Sequence, residues 1–268
     1  MILSPQAGPW LARRKGKIVQ KEDFEKMKSM KWYHKIELGD NVVTPGFEWD
    51  NLWEPLKEHM KKVDFSNKRV LDVGCWDGLW SFEAEKLGAQ EVWAIDLNSQ
   101  RSFSEQGFEP FGFAKKHLQS RVNYKEVSVY DLEDCFSEPF DIVICFGVLY
   151  HLRYPQLGLA RIRNVLRTGG ILLVETVLLL DSPEAIIQTD YHKIYSHDVS
   201  IWNAFSEPAL LHLLEESYLQ PEEHHIILRQ DEENKIGRIF VKAKAFEGKH
   251  SHHYFPDPFL KKHFIPLG

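Results

Sequence analysis

Arg69-Val70-Leu71-Asp72-Val73-Gly74-Cys75-Trp76-Asp77-Gly78-Leu79-Trp80-Ser81-Phe82-Glu83, followed by Glu91-Val92-Trp93-Ala94-Ile95-Asp96-Leu97, is the stretch whose reading decides the fold. An apolar run ends in two glycines four apart, a helical pattern follows, and a second apolar run ends in an acid. The pattern predicts strand, tight turn, helix and strand, with a carboxylate at the tip of the second strand. That is the first half of a nucleotide-binding α/β unit. Gly74 would let the backbone approach a ligand, and Gly78 would let the helix start close to the strand. Asp96 is placed to accept hydrogen bonds from both hydroxyls of a ribose.

The turn also limits the ligand. A dinucleotide site uses G-x-G-x-x-G, whose middle glycine admits a pyrophosphate. Trp76 stands at that position, so a pyrophosphate would meet an indole. A ligand with ribose and adenine but no phosphate fits better, and S-adenosylmethionine is such a ligand.

Outward from this core, the alternation continues. Val122–Val127 fits a third strand, with Ser128-Val129-Tyr130-Asp131 at its end. Phe140–Phe146 is a continuous apolar run of the kind a buried parallel strand needs, and Gly147-Val148-Leu149-Tyr150-His151-Leu152 follows it. Residues 154–166 read as a helix, Arg167-Thr168-Gly169-Gly170 as a turn, and Ile171–Glu175 as a fifth strand. Ser206-Glu207-Pro208 opens a further helix with a capping serine and a proline in its first turn. Strands near His225–Leu228 and Arg238–Lys244 would form an antiparallel pair. Upstream, Lys21–Met30 reads as a charged helix, Trp32–Gly39 as an aromatic extended segment, and Trp49–Lys61 as a helix.

These elements predict an α/β, Rossmann-like fold with a mostly parallel seven-stranded sheet and an antiparallel last strand. The organisation expected is an N-terminal helical and aromatic lid over 1–66, a cofactor-binding domain over 67–246, and a tail over 247–268. Residues 176–205 are long for a connection in a compact domain and suit a lid insertion over the substrate.

Composition narrows the class. With 43% hydrophobic and 27% charged residues, the 268-residue chain is that of an ordinary soluble domain. No apolar run reaches the ~18–20 residues that span a bilayer, and the first residues lack a secretory layout. The three cysteines (Cys75, Cys135, Cys145) make neither a disulfide framework nor a zinc pattern, so a cytoplasmic location is expected. Net charge is −6, which argues against a broad nucleic-acid surface. Residues 1–35, however, carry nine basic against three acidic side chains, an arm that could touch an anionic substrate.

Val70 to Gly78 with Asp96, Val129-Tyr130-Asp131 and Leu166-Arg167-Thr168-Gly169-Gly170 resemble a class I S-adenosylmethionine-dependent methyltransferase. Trp32-Tyr33-His34, Val43-Thr44-Pro45-Gly46, Gly74–Gly78 and Phe146–Leu152 are similar to the family named for tRNA wobble-uridine (5-methoxyuridine and 5-oxyacetic acid) methyl or carboxymethyl transferases. The resemblance spans roughly residues 32–244. It implies that Asp72 and Gly74 line the methionine moiety, with Trp76 and Gly78 in the same turn. Asp96, beside Leu97, would hold the ribose. Asp131 would face the adenine amine with Tyr130 or Val129 beside the ring, and Phe146 and Gly147 would flank the methionine chain. In the carboxymethyl branch a lysine, a tyrosine and an arginine hold the extra carboxylate of carboxy-S-adenosylmethionine; Lys35, Tyr150 and Arg238 match them, or else line the acceptor pocket.

Methyl transfer is a direct displacement in which the protein chiefly aligns the partners. A hydroxyl acceptor benefits from a base near neutral pKa, for which His151, after Tyr150, is the first candidate and His34 the second. Trp32, Tyr33, Lys35, Tyr150, Tyr191, Tyr195, Trp202 and Arg238 form the expected acceptor side. No metal set is expected: His192, His197 and Asp198 make none, and His250, His252 and His253 read as surface. The function expected is O-methylation of a small-molecule or sugar-like acceptor. Modification of a tRNA wobble uridine by methyl or carboxymethyl transfer is the alternative, and a non-catalytic cofactor-binding module is the third reading. The oligomeric state is left open.

Overall fold

A computed structural model describes residues 21–39, 41–97, 108–189, 200–231, 233, 235–248 and 259–260. The chain opens with helix α1 (Lys21–Ser29), a short hairpin of β1 (Glu37–Gly39) and β2 (Val42–Val43), and helix α2 (Asp50–Lys61). Then come β3 (Arg69–Val73), α3 (Leu79–Lys86), β4 (Glu91–Asp96), α4 (Glu109–Leu118), β5 (Asn123–Glu126), α5 (Leu132–Cys135), β6 (Phe140–Phe146) and α6 (Pro155–Val165). The chain continues through β7 (Leu166–Leu179), β8 (Ile187–Thr189), β9 (Asn203–Ser206), α7 (Glu207–Glu216), β10 (Leu219–Asp231) and β11 (Ile236–Ala245).

Seven strands form one path in the order β10-β11-β7-β6-β3-β4-β5. β3 pairs in parallel with β4 and with β6, β4 with β5, and β6 with β7, while β11 runs antiparallel between β7 and β10. This is the expected mostly parallel sheet with an antiparallel last strand. β8 and β9 extend it: β9 pairs in parallel with β7 and antiparallel with β8. The reversal of strand order between β3 and β6 opens a crevice at the carboxyl ends of the strands, where α/β folds bind ligands.

Apolar side chains fill both faces of the sheet. Leu71, Val73, Val143 and Val174 belong to one buried cluster, and Val70, Ile142, Ile144 and Leu173 to the other, as the alternation of a doubly covered strand requires. Ser206 caps α7 by accepting the Ala209 amide (3.3 Å), as its sequence predicts. The buried Arg163 of α6 donates to the carbonyls of Tyr218, Leu166 and Phe246 (3.1, 3.2 and 2.6 Å). Burial pushes its pKa down to about 10, and the three acceptors satisfy a cation that would otherwise be costly to bury. Among the described residues no helix is long and apolar enough to cross a membrane.

Three expectations change. Of Trp32–Gly39 only Glu37–Gly39 is strand, because Tyr33 and His34 turn their backbone toward another partner. β7 starts at Leu166, before the expected turn, and runs to Leu179. Its last residues pair with β11, Thr176 opposite Ile239 and Leu178 opposite Gly237, so part of the expected 176–205 connection is core strand. The final pair, β10 and β11, is much longer than the hydropathy suggested, because the edge strand β10 is largely exposed and carries a polar sequence.

Candidate cofactor and acceptor site

The glycine turn joins β3 to α3. Gly74 and Gly78 have φ of +74° and +95°, values an L side chain adopts only with strain. A Cβ on Gly74 would lie 2.3 Å from Val148 Cγ2, and one on Gly78 would lie 2.7 Å from the rings of Phe111 and Phe82. The first glycine therefore admits the loop after β6, and the second admits the aromatics of α3 and α4. Trp76 sits between them, half-buried, with φ +49°.

Most of the turn's amides are committed inside the protein. Gly74 and Cys75 donate to the Ile95 carbonyl (2.9 and 3.0 Å), and Gly78 donates to that of Cys75 (2.7 Å). Trp76 donates to Asp96 Oδ2 at 2.8 Å. Phosphate-binding turns work by aiming such amides at the ligand, so this turn is built for something else. Asp96, at the tip of β4, is buried and also accepts the Leu97 amide at 2.7 Å. A carboxylate oxygen has two lone-pair sites, so it can serve more than one donor, and Asp96 stands where a ribose would approach.

Asp72 lies beneath the turn. Its Oδ2 accepts from Ser81 Oγ at 2.5 Å, and its Oδ1 is buried with no hydrogen-bond partner among the described residues. Burial pushes its pKa up to about 7, helped by the charges of Asp96 and Asp77 and opposed by the Ser81 hydrogen bond. Asp77, not anticipated from the sequence, ties the N-terminal segment to the turn. Oδ2 accepts the Tyr33 and His34 amides, both at 2.8 Å, and Oδ1 contacts His34 Nδ1. The His34 ring lies 4.7, 5.1 and 5.8 Å from those of Tyr33, Trp53 and Trp80. The Tyr33 ring reaches to 5.4 Å from that of Trp76.

Across the crevice Phe146 closes β6, and Gly147 follows with φ +71°. The Gly147 amide donates to Glu175 Oε2 at 3.0 Å. Glu175, the second unanticipated residue, is buried on β7 and accepts Arg238 Nε (2.5 Å) and Nη2 (2.9 Å). Arg238 Nη1 lies 3.4 Å from the Tyr150 hydroxyl, and its guanidinium sits 4.8 Å over the Tyr150 ring. A lone acid inside Leu172-Leu173-Val174-Glu175-Thr176-Val177 was the available signal, since buried carboxylates are rarely without a cation. His151 Nδ1 is 3.0 Å from the Ser200 carbonyl and 3.1 Å from Ser200 Oγ. The Trp202 amide donates to the Tyr150 carbonyl at 2.9 Å, and Arg153 lies 5.1 Å over the Trp202 ring.

The structure thus gathers Asp72, Gly74, Trp76, Gly78, Asp96, Leu97, Phe146, Gly147, Tyr150 and Arg238 along the carboxyl ends of the strands. Tyr130 lies in a helical turn after β5, where its hydroxyl accepts the Tyr154 amide (3.1 Å), and the neighbouring Asp131 is exposed. Two predicted acceptor residues stand elsewhere. Trp32 is buried, donates Nε1 to the Met27 carbonyl at 2.9 Å and packs on Phe113. Lys35 pairs with Glu48 and, at 3.0 Å, with Asp50. Tyr191, Tyr195, His192, His197 and Asp198 lie outside the described residues, as does the tail cluster His250, His252 and His253.

A glycine turn whose amides are mostly bonded within the protein, a buried acid at the next strand tip and a buried polar cluster across the switch point define an α/β fold of the nucleoside-binding class. The methyltransferase domain family matches residues 50–224, and the chain belongs to that family. Its fold is that of S-adenosylmethionine-dependent methyltransferases. It is similar to the 1,6-didemethyltoxoflavin-N1-methyltransferase of Burkholderia thailandensis, crystallised with 1,6-didemethyltoxoflavin and S-adenosylhomocysteine (TM-score 0.55, 18% identity, covering 72% of this chain and 77% of that one). Among curated proteins it is similar to the tRNA U34 carboxymethyltransferases of Helicobacter acinonychis (28% identity over 61% of this chain and 60% of that one) and Nautilia profundicola (27% over 69% and 58%). The match therefore spans little more than half the length of these relatives.

Proposed function

We propose that the chain transfers a methyl group from S-adenosylmethionine to an oxygen of a small-molecule or sugar-like acceptor. The observation that carries the cofactor is Asp96, buried at the tip of β4 and fastened to a turn whose amides are spent internally. Such a site suits a ribose without phosphates. The unpartnered Oδ1 of Asp72, and the company of Asp77 and Asp96, suit a ligand bearing positive charge. S-adenosylmethionine, when bound, would supply the electrophilic methyl group.

The chain's own residues would then align the acceptor. With Nδ1 donating to the Ser200 carbonyl, the His151 imidazole carries its lone pair on Nε2, the form a general base needs. Methyl rather than carboxymethyl transfer is supported by Glu175, which takes two of the Arg238 donors and neutralises the charge a donor carboxylate would require. Lys35, engaged with Glu48 and Asp50, offers no second cation there.

The second reading, carboxymethyl transfer to a tRNA wobble uridine, is favoured by the names of the curated relatives and by the contact between Tyr150 and Arg238. Mass spectrometry of acceptors incubated with either donor separates the two by a methyl or a carboxymethyl increment. Calorimetry tests the cofactor: Asp96→Ala should weaken S-adenosylmethionine binding by ~1–3 kcal/mol, the scale of a lost charge-assisted hydrogen bond. Equal affinity in the variant would overturn the assignment.

A further inference from the structure

Away from the crevice, α2 packs on the edge strand β10, and there three ligand-type side chains converge. Glu223 and His225 are two apart on β10 and so share a face; their side chains meet at 2.9 Å, His225 Nε2 to Glu223 Oε1. From α2, His59 brings Nδ1 to 3.5 Å from the same oxygen. One donor atom from each residue lies within 4.8 Å of the others. His59 Nδ1 is buried and makes no hydrogen bond among the described residues, although a carboxylate stands opposite it. His224, pointing to the other face, pairs with Glu207 instead.

We infer that His59, Glu223 and His225 form a binding site for a divalent transition metal of the zinc class. Two imidazoles and one carboxylate are a zinc donor set that leaves a fourth position for water, and the exposed His225 puts that position toward solvent. Donors on four-coordinate zinc stand roughly 3.3 Å apart, given Zn–N distances of about 2.0–2.1 Å. The separations of 2.9 and 3.5 Å are close to that value, and the remaining pair, within 4.8 Å, closes by at most about 1.5 Å through rotation of the exposed His225 ring. His59 is held in place by ring stacking with Phe240 (4.3 Å) and His225 (4.8 Å). Burial, followed by the nearby charges of Lys62 and His225, holds the His59 pKa below its ordinary value. Lys62 is also the charge that opposes a cation here.

The site has a structural consequence. α2 carries Trp53, which packs on the His34 ring, and Phe240 contacts Phe146 beside the crevice at 6.2 Å. A metal joining α2 to β10 would brace the N-terminal wall against the sheet.

Zinc titration by calorimetry, on the full chain freed of metal by a chelator, tests this. One equivalent should bind. Glu223→Gln and His225→Ala, both at partly exposed positions, should each lower the affinity at least about tenfold, while His250→Ala/His252→Ala/His253→Ala should leave it intact. Cobalt loading gives a second readout, with the visible bands of a four-coordinate ion lost in the first two variants and kept in the third. No binding at micromolar zinc, or binding that survives both β10 variants or vanishes with the tail variant, would overturn the site.

Discussion

Asp72 sits beneath the glycine turn with a folded-state pKa of about 7, raised chiefly by burial. An acid whose pKa rises on folding holds its proton more tightly in the folded state. Stability therefore falls as pH climbs from about 4 to about 7, and the loss is complete above that window. Asp72→Asn removes this titration, so across the window the parent's melting temperature should fall relative to the variant's by several degrees, at roughly 2–4 °C per kcal/mol for a domain of this size. Calorimetric melts at intervals through the range read this directly. A parallel slope in the variant would place the titration elsewhere. Glu175 and Arg238 meet burial differently: each is the other's counter-charge.

Among the elements, the N-terminal segment and the glycine turn behave as one unit. Thr44 accepts the Ile36 amide through its hydroxyl (2.8 Å) and donates to the His34 carbonyl (2.7 Å). Phe47 donates its amide to the Tyr33 carbonyl (3.0 Å). A Cβ on Gly46 would lie 2.2 Å from the His34 backbone. Asp77 then fastens this folded segment to the turn through two amides and an imidazole. Asp77→Ala leaves those amides without their acceptor, at about 1–3 kcal/mol for each buried donor. Hydrogen exchange at residues 33–36 should accelerate in the variant while that of β3 and β6 stays slow. Unchanged protection at 33–36 would mean the segment is held by its aromatic packing alone.

For the molecule as a whole, charge is what separates the two proposed acceptor classes. The body is acidic, and the basic excess is concentrated in residues 1–35. Among the described part of that arm, Lys26 and Lys28 lie 4.0 and 3.9 Å from Glu109 and Glu25. A tRNA-modifying enzyme gains much of its affinity from phosphate contacts, which weaken steeply with salt. A small-molecule enzyme of this charge should show no such binding. Bulk tRNA titrated between about 50 and 200 mM salt should give no salt-sensitive complex; a steep slope would favour the wobble-uridine reading over the one proposed here.

The sequence by itself determined the α/β alternation, the glycine turn, Asp96 at a strand tip and the capped start of α7. Each of these depends on residues close together in the chain, on a period, a turn requirement or a cap. Tertiary structure decided what the turn faces. It set Val148 against Gly74 and brought Asp77 to the N-terminal segment. It also paired Glu175 with Arg238 and brought His59 up to Glu223 and His225. These partners come from distant parts of the chain, and local periodicity carries no information about which of them meet. The full length of the expected antiparallel pair β10 and β11 escaped for a related reason, because an exposed edge strand has only one side to bury and leaves little hydrophobic signal. The stretch from Arg69 to Leu97 thus specified the proposed cofactor end of the crevice, while the proposed acceptor end was composed only when β6, β7 and β11 came together.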